Sequence, residues 1–205
     1  MIKLIMFDFD GVIDNNYELS FELNEKKISS LSREEHKKIY EGNIHIEREK
    51  LKCRDTGFDF LKCLSNTRKT REIKDEVKET LEDLSENYTL GIISSCYEYG
   101  IRDYLQTNGV GNLFSFLYGL ETHKLKSHKF KKVLNDFNFK KEECIFITDT
   151  LGDILEANKV GINTIAVDFG YHERERLEKG NPLKIISRYE ELIEVIKSLE
   201  SLGLA

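Results

Sequence analysis

Five apolar runs constrain the fold of this chain: "IKLIMFDF" (2–9), "YTLGIISS" (88–95), "FSFLYGL" (114–120), "CIFITD" (144–149) and "NTIAVDF" (163–169). They are short and rich in β-branched and aromatic residues, and several are apolar without alternation. A strand of that kind is covered on both faces, as in a parallel sheet flanked by helices. The stretches between them carry the complementary pattern. Ile73, Val77, Leu81 and Leu84 share a helical face over 71–87, and Phe130, Val133, Leu134 and Phe137 share one over 127–138. Leu192, Val195, Ile196 and Leu199 repeat it near the C-terminus, behind a capping box expected from Ser187 and Glu190.

Strand–helix alternation with short links predicts an α/β fold with a doubly wound, mostly parallel, Rossmann-like sheet. One interval breaks the rhythm. Residues 15–70 are polar and helix-leaning, with a capping box at Ser32 and Glu35, a stop at Gly42 and a turn in "CRDTGFDFL" (53–61). A crossover between parallel strands needs only about a dozen residues. The excess reads as an inserted α-helical cap subdomain over 15–70, with 1–14 and 71–205 forming the α/β core. A chain of 205 residues has room for both.

Composition narrows the function classes. With 40% hydrophobic and 33% charged residues the chain has ordinary globular composition, and its net charge of -6 argues against a nucleic-acid partner. No apolar run approaches the ~18–20 residues of a membrane span. The N-terminal apolar stretch runs straight into Asp8 without a small-residue cleavage site, unlike a signal peptide. Cys53, Cys63, Cys96 and Cys144 lack CxxC spacing, so reduced thiols are expected rather than a zinc site. A cytoplasmic protein fits all of this.

The first run ends in Asp8 and Asp10. Side chains at i and i+2 of a strand point to the same side, here at the carboxyl edge of the sheet, where open α/β folds bind ligands. Two neighbouring carboxylates repel unless one is protonated or a cation sits between them. Alone, the pair reads equally well as two solvated loop acids. Its company is more specific: Asp149 and Asp153 close the fourth run, Ser94 and Ser95 the second, and Lys124 and Lys126 lie in "HKLKSHKF" (123–130). Acids, a hydroxyl and an ammonium on one rim suit Mg²⁺, which prefers oxygen ligands and substrate phosphates.

In order and spacing, "DFDGV" (8–12), "LGIIS" (90–94) and "TDTLGD" (148–153) resemble the motifs of the haloacid dehalogenase superfamily of phosphohydrolases. The place of the insertion resembles the helical cap of the phosphoglycolate phosphatase-like subgroup. The resemblance implies Asp8 as nucleophile and Asp10 as general acid/base. It implies Mg²⁺ held by Asp8, the Asp10 backbone carbonyl and Asp149, with Ser94 and a lysine on the phosphate. Asp153 would orient the metal's water shell or the lysine. Lys124 stands 25 residues before Asp149, as in relatives with a Lys-Pro motif, but no proline follows it here. Lys126 stands 23 before and directly precedes a helix, so it is the favoured of the two.

The activity so implied is Mg²⁺-dependent hydrolysis of a small phosphorylated metabolite through an aspartyl-phosphate, by a monomer or homodimer. Its alternatives are a phosphosugar mutase of the same fold or a catalytically idle binding module. In the cap region, Arg48, Lys52, Arg54, Arg68, Lys69 and Arg71 either reach a second anionic group or alternate with acids along solvated helix faces. Asn16 and Tyr17 are candidates for the entrance and Tyr171 or His172 for neighbours of the site, while His123 and His128 read as surface residues.

Overall fold

The computed structural model describes residues 1–28, 30–50 and 59–203. Lys52, Cys53, Arg54 and most of the expected 53–61 turn lie outside them. Six parallel strands form one sheet in the order β3-β2-β1-β4-β5-β6. They are β1 (Leu4–Phe7), β2 (Thr89–Ile93), β3 (Phe114–Tyr118), β4 (Cys144–Thr148), β5 (Asn163–Val167) and β6 (Lys184–Ile186). The fold is therefore the expected doubly wound α/β sheet.

Strand β1 explains its own unbroken apolar run. Ile5 and Phe7 pack into one core with Leu81, Ile101, Leu192 and Ile196, while Leu4 and Met6 pack into another with Phe130, Val133 and Ala157. Alternate residues feed opposite layers, so every position must be apolar. The helices behind these layers are α5 (Asp75–Ser85), α6 (Glu98–Thr107), α7 (Lys126–Asp136), α8 (Leu151–Asn158), a short α9 (Arg174–Leu177) and α10 (Glu191–Ser201). Because β1 pairs with both β2 and β4, the strand order reverses there, which places a crevice at its carboxyl end.

Two local expectations need correction. The Ser187–Glu190 capping box does not form: Ser187 Oγ donates to Asp168 Oδ2 at 3.0 Å, and α10 starts beyond it with no side-chain cap. The run over 71–87 becomes helical only at Asp75, because Ile73 N–H is engaged by Asn108 Oδ1 at 2.9 Å.

Between β1 and β2 lie α1 (Tyr17–Lys27), α2 (Arg33–Lys38), α3 (Ile44–Lys50) and α4 (Phe60–Arg68). The Ser32–Glu35 capping box is present at the start of α2. These helices dock on the carboxyl edge of the sheet. Gly152 N–H donates to Tyr40 O at 2.9 Å, and a Cβ on Gly152 would overlap Gly42 O. Lys37 pairs with Glu173 at 2.7 Å and Arg176 with Glu34 at 2.7 Å.

His36 is the polar centre of the inserted helices, wholly buried among Tyr17, Phe21 and Tyr40, with Nε2 3.1 Å from Asn24 Nδ2. Burial, aided by the charges of Arg48 and Arg33, pushes its pKa from 6.5 down to about 3. Across that window the unfolded chain binds a proton that the folded chain refuses. Its stabilising contribution is therefore whole above pH 6.5 and lost as pH falls. At pH 5 the loss is about 2 kcal/mol. Asp8, Asp14 and Asp149 are pushed up by burial and act with the opposite sign, so the test is a difference. Between pH 7 and pH 5, wild type should lose about 2 kcal/mol more than His36→Gln in urea unfolding; parallel pH dependences would refute this.

Candidate active site

Asp8 follows β1 directly, and its N–H continues the ladder to Ile147 O at 2.8 Å. Gly11, at φ +79°, turns the chain back in a conformation that favours glycine, and a Cβ there would overlap Asp149 Oδ2. That turn brings the loop after β1 against the loop after β4. Asp8 Oδ1 accepts from Phe9 N–H at 2.7 Å and lies 2.8 Å from Lys126 Nζ. The same ammonium is 2.7 Å from Asp153 Oδ2, which also accepts from Thr148 Oγ1 at 3.1 Å.

Asp149 completes the group. Its Oδ2 accepts from Tyr171 N–H at 2.7 Å, and its Oδ1 is buried without a hydrogen-bond partner among the described residues. Two carboxylates thus hold one buried ammonium, and Asp149 lies near enough to feel its charge. Burial holds Asp8 well above the usual carboxylate range against the pull of Lys126, and burial with the charge of Asp153 pushes Asp149 up to about 7. Burial also works against Asp153, but Lys126 and the hydrogen bonds outweigh it and leave that carboxyl below its ordinary value. Lys126 is held above the ordinary lysine value because Asp153 and Asp8 outweigh its own burial.

The chemistry of the donor set suits Mg²⁺, although among the described residues no group of three acids is gathered to hold a metal ion. Every candidate ligand is an oxygen, positive charge is in deficit, and the bare Oδ1 of Asp149 has no protein donor to satisfy it. A divalent cation relieves both shortages at once.

Asp10 sits apart from the ammonium. Its Oδ1 accepts from Asn16 Nδ2 at 2.5 Å and from Arg68, and its Oδ2 accepts from Cys96 Sγ at 3.1 Å. Asp8, Asp10, Lys126 and Asp153 open onto one cavity, closed from the other side by Tyr40, Ile44, Arg48, Phe60 and Leu61 of the inserted segment.

The remaining candidates divide. Ser94 is fully buried at the end of β2, where its Oγ accepts from Cys96 N–H at 3.1 Å; Ser95, not Ser94, lines the cavity. Lys124 lies outside the group, exposed and 3.7 Å from Glu49 Oε1. Tyr171 is buried against Asn16, its hydroxyl donating to Asn16 Oδ1 at 3.0 Å. His172 is buried between Leu151 N–H and Lys37 O, and His123 and His128 stack on each other at 4.1 Å. Lys69 pairs with half-buried Asp103, and Arg71 ties Asp14 and the Asn15 carbonyl.

Sequence reasoning missed Lys129. It is buried one turn beyond Lys126 and donates to the Ser94 carbonyl. Burial, with the neighbouring charge of Lys126, pushes it down to about 8. The signal was available: the spacing that buries Phe130 and Val133 carries Lys126 and Lys129 onto the same face. Sequence reasoning gave Arg68 a second anionic group or a solvated helix face, whereas Arg68 is wholly buried against Asp10, and it gave Cys96 no role beyond a reduced thiol, although its Sγ also closes on Asp10.

Residues 5–167 match the family model of haloacid dehalogenase-like hydrolases, and the chain belongs to that family. Among curated relatives, the phosphoglycolate phosphatase of Photorhabdus laumondii is 29% identical over 125 residues, covering 59% of this chain and 53% of that protein. The chain thus spans about half the length of the curated relatives it matches first. The phosphoglycolate phosphatase of Vibrio parahaemolyticus is 24% identical over 221 residues, 95% of this chain and 96% of that protein. Two solved structures share the fold. A haloacid dehalogenase-like hydrolase of Streptococcus pneumoniae superposes with a TM-score of 0.77 at 20% identity, covering 95% of this chain and 98% of that one. CbbY from Rhodobacter sphaeroides, in complex with phosphate, does so at 0.75 and 13% identity, covering 94% and 96%.

Proposed function

We propose that this chain is a Mg²⁺-dependent phosphatase that hydrolyses a small phosphomonoester through an aspartyl-phosphate, its core formed by 1–14 and 71–205 and its cap by 15–70. The observation that carries the reading is Lys126 Nζ, 2.8 Å from Asp8 and 2.7 Å from Asp153, beside the unpartnered oxygen of Asp149. The Asp8 carboxylate attacks phosphorus; the bond from phosphorus to the leaving oxygen breaks, and Asp10 gives that oxygen its proton. Water then attacks the phosphorus of the acyl phosphate and passes a proton to Asp10, which releases phosphate and restores the Asp8 carboxylate. Lys126 holds Asp8 in position and faces the incoming phosphate as a compact charge, with Asp153 fixing the ammonium from behind. Ser94 acts through the loop after β2 that carries Ser95. Asp8, the Asp10 carbonyl and Asp149 would hold Mg²⁺, which would supply neutralisation of the phosphate charge.

Arg48 narrows the substrate class. It lines the cavity from α3, its guanidinium 4.0 Å above the Phe60 ring, with Nη2 donating to Asn24 Oδ1 at 3.1 Å and a buried Nε that has no hydrogen-bond partner among the described residues. A cation held there favours a phosphomonoester with a second anionic group, a carboxylate or another phosphate. The name of the curated relatives points the same way.

A panel of phosphoglycolate, sugar phosphates and bisphosphates, nucleoside monophosphates and phosphoserine tests the reading, run with Mg²⁺ and with chelator. Turnover should be best for the members that carry a second anionic group and fall at least about 10²-fold in chelator. Activity indifferent to chelator would refute the metal's role. Conversion of a sugar phosphate to its isomer would favour the mutase, and silence across the panel the idle binding module. The cytoplasm, without nucleic-acid or membrane partners, is the proposed setting; among the described residues no helix is long and apolar enough to cross a membrane.

A further inference from the structure

Arg68 is the largest wholly buried side chain among the described residues, and it is a cation. It ends α4, reached along the buried face of that helix through Phe60 and Leu64. Its guanidinium lies 4.9 Å from the centre of the Phe9 ring. Nη2 donates to Asp10 Oδ1 and lies 3.7 Å from Cys96 Sγ, while Nε stands 3.5 Å from Asp14 Oδ2. A buried ion pair is weak evidence for stability, because desolvation offsets the attraction. Among the described residues Arg68 also leaves Nη1 without a hydrogen-bond partner, so the arrangement is not optimised for holding the fold together. Its geometry is specific in another respect.

The two oxygens of Asp10 are treated unequally. Oδ1 takes both nitrogen donors, Arg68 and Asn16 Nδ2, and Asn16 is itself fixed by the Tyr171 hydroxyl at 3.0 Å. Among the described residues Oδ2 takes only the Cys96 thiol at 3.1 Å, a weak donor, and Asp10 and Cys96 both border the cavity. An oxygen that already accepts from two N–H groups is poorly placed to carry a proton toward a substrate. Its partner is free to do so, and a thiol yields easily to an alkoxide or a water.

We propose that Arg68 is a positioning residue for the acid/base Asp10: with Asn16 it pins the carboxyl through Oδ1 and leaves Oδ2 to move the proton. This rests on the phosphatase reading above. The planar fork suits the task better than an ammonium would, because it spans Asp10 and Asp14 while its face lies over Phe9. The anchor comes from the inserted segment, three residues before Arg71, which ties the returning chain to Asp14 at 2.8 Å.

The discriminating measurement is kcat/KM on two esters, since this ratio covers the chemistry up to departure of the leaving group. An alkyl phosphate needs a proton on its leaving oxygen; p-nitrophenyl phosphate leaves as a stable phenolate and does not. In Arg68→Met, kcat/KM for the best alkyl ester of the panel should fall about 10²-fold or more, against less than about fivefold for the aryl ester. Arg68→Lys should recover part of the loss. Asn16→Ala, which removes the other donor to Oδ1 without touching α4, should show the same selectivity at smaller size and keeps the test decisive if Arg68→Met fails to fold. Equal losses on both esters, in whichever variants fold, would reduce Arg68 to a structural role, and no loss would remove it altogether. Wild-type silence on both esters would instead sink the phosphatase reading, so the two failures are distinct.

Discussion

Asp8→Asn should lower turnover of any phosphomonoester by at least about 10³-fold while leaving the melting temperature equal to or above that of wild type. The two readouts move apart for a physical reason. Asparagine keeps the shape of the side chain and an acceptor for Phe9 N–H, which lies 2.7 Å from Oδ1. It cannot form an acyl phosphate that water then cleaves. Stability responds to charge: Asp8 is buried and its carboxyl is held well above the usual range by desolvation, so ionised Asp8 is a cost to the folded state that the amide does not incur. Lys126 keeps Asp153 as a partner at 2.7 Å, so the substitution strands no cation. Steady-state assays together with thermal unfolding check the prediction. Full activity in the variant would remove Asp8 from the mechanism, and a collapse of the fold would show that its buried charge stabilises rather than strains the core.

The parts of this site that lie at strand ends were legible in the sequence, and the parts that depend on distant helix faces were not. β1 and β4 are neighbours, so acids placed just past two apolar runs must meet at one edge; Asp8, Asp149 and Asp153 follow from that alone. Lys126 was favoured over Lys124 as the residue directly before a helical pattern, and it is the first residue of α7. β6 escaped because it is a three-residue edge strand with an exposed lysine, too short for any period to register. The partner of Arg68 escaped because it lies 58 residues away across the insertion. A periodic pattern can show that Phe60, Leu64 and Arg68 share a face, but which carboxylate that face will meet is decided by tertiary docking. Lys129 differs, since the spacing of α7 already places it on the buried face, but a lysine on an apolar face is ordinarily assigned to solvent through its long stem.

Lys126→Met should cost turnover about 10²–10³-fold, and Lys124→Met should leave it near wild type. The contrast follows from burial: Lys126 is 1% exposed between two carboxylates, whereas Lys124 faces solvent beside Glu49. Methionine fills the volume of the lysine stem but leaves Asp8, Asp149 and Asp153 clustered without the ammonium. Removing one partner of a buried pair typically costs ~3–5 kcal/mol, because the remaining charge stays desolvated. Lys129 cannot substitute, as its amine is committed to the Ser94 carbonyl and is itself pushed down to about 8. The penalty has a sign with pH. The stranded carboxylates prefer to bind protons in the folded state, so the variant should approach wild-type stability on acidification and fall further behind as pH rises. It also has a sign with Mg²⁺. A cation that binds the folded acid cluster and not the unfolded chain stabilises by mass action, and with the ammonium gone the cluster repels it less. Added Mg²⁺ should therefore raise the melting temperature of Lys126→Met by more than that of wild type. Thermal unfolding across pH, with and without Mg²⁺, reads both effects. A variant that melts like wild type at every pH and ignores Mg²⁺ would mean that Lys126 does not counter the acid cluster at all.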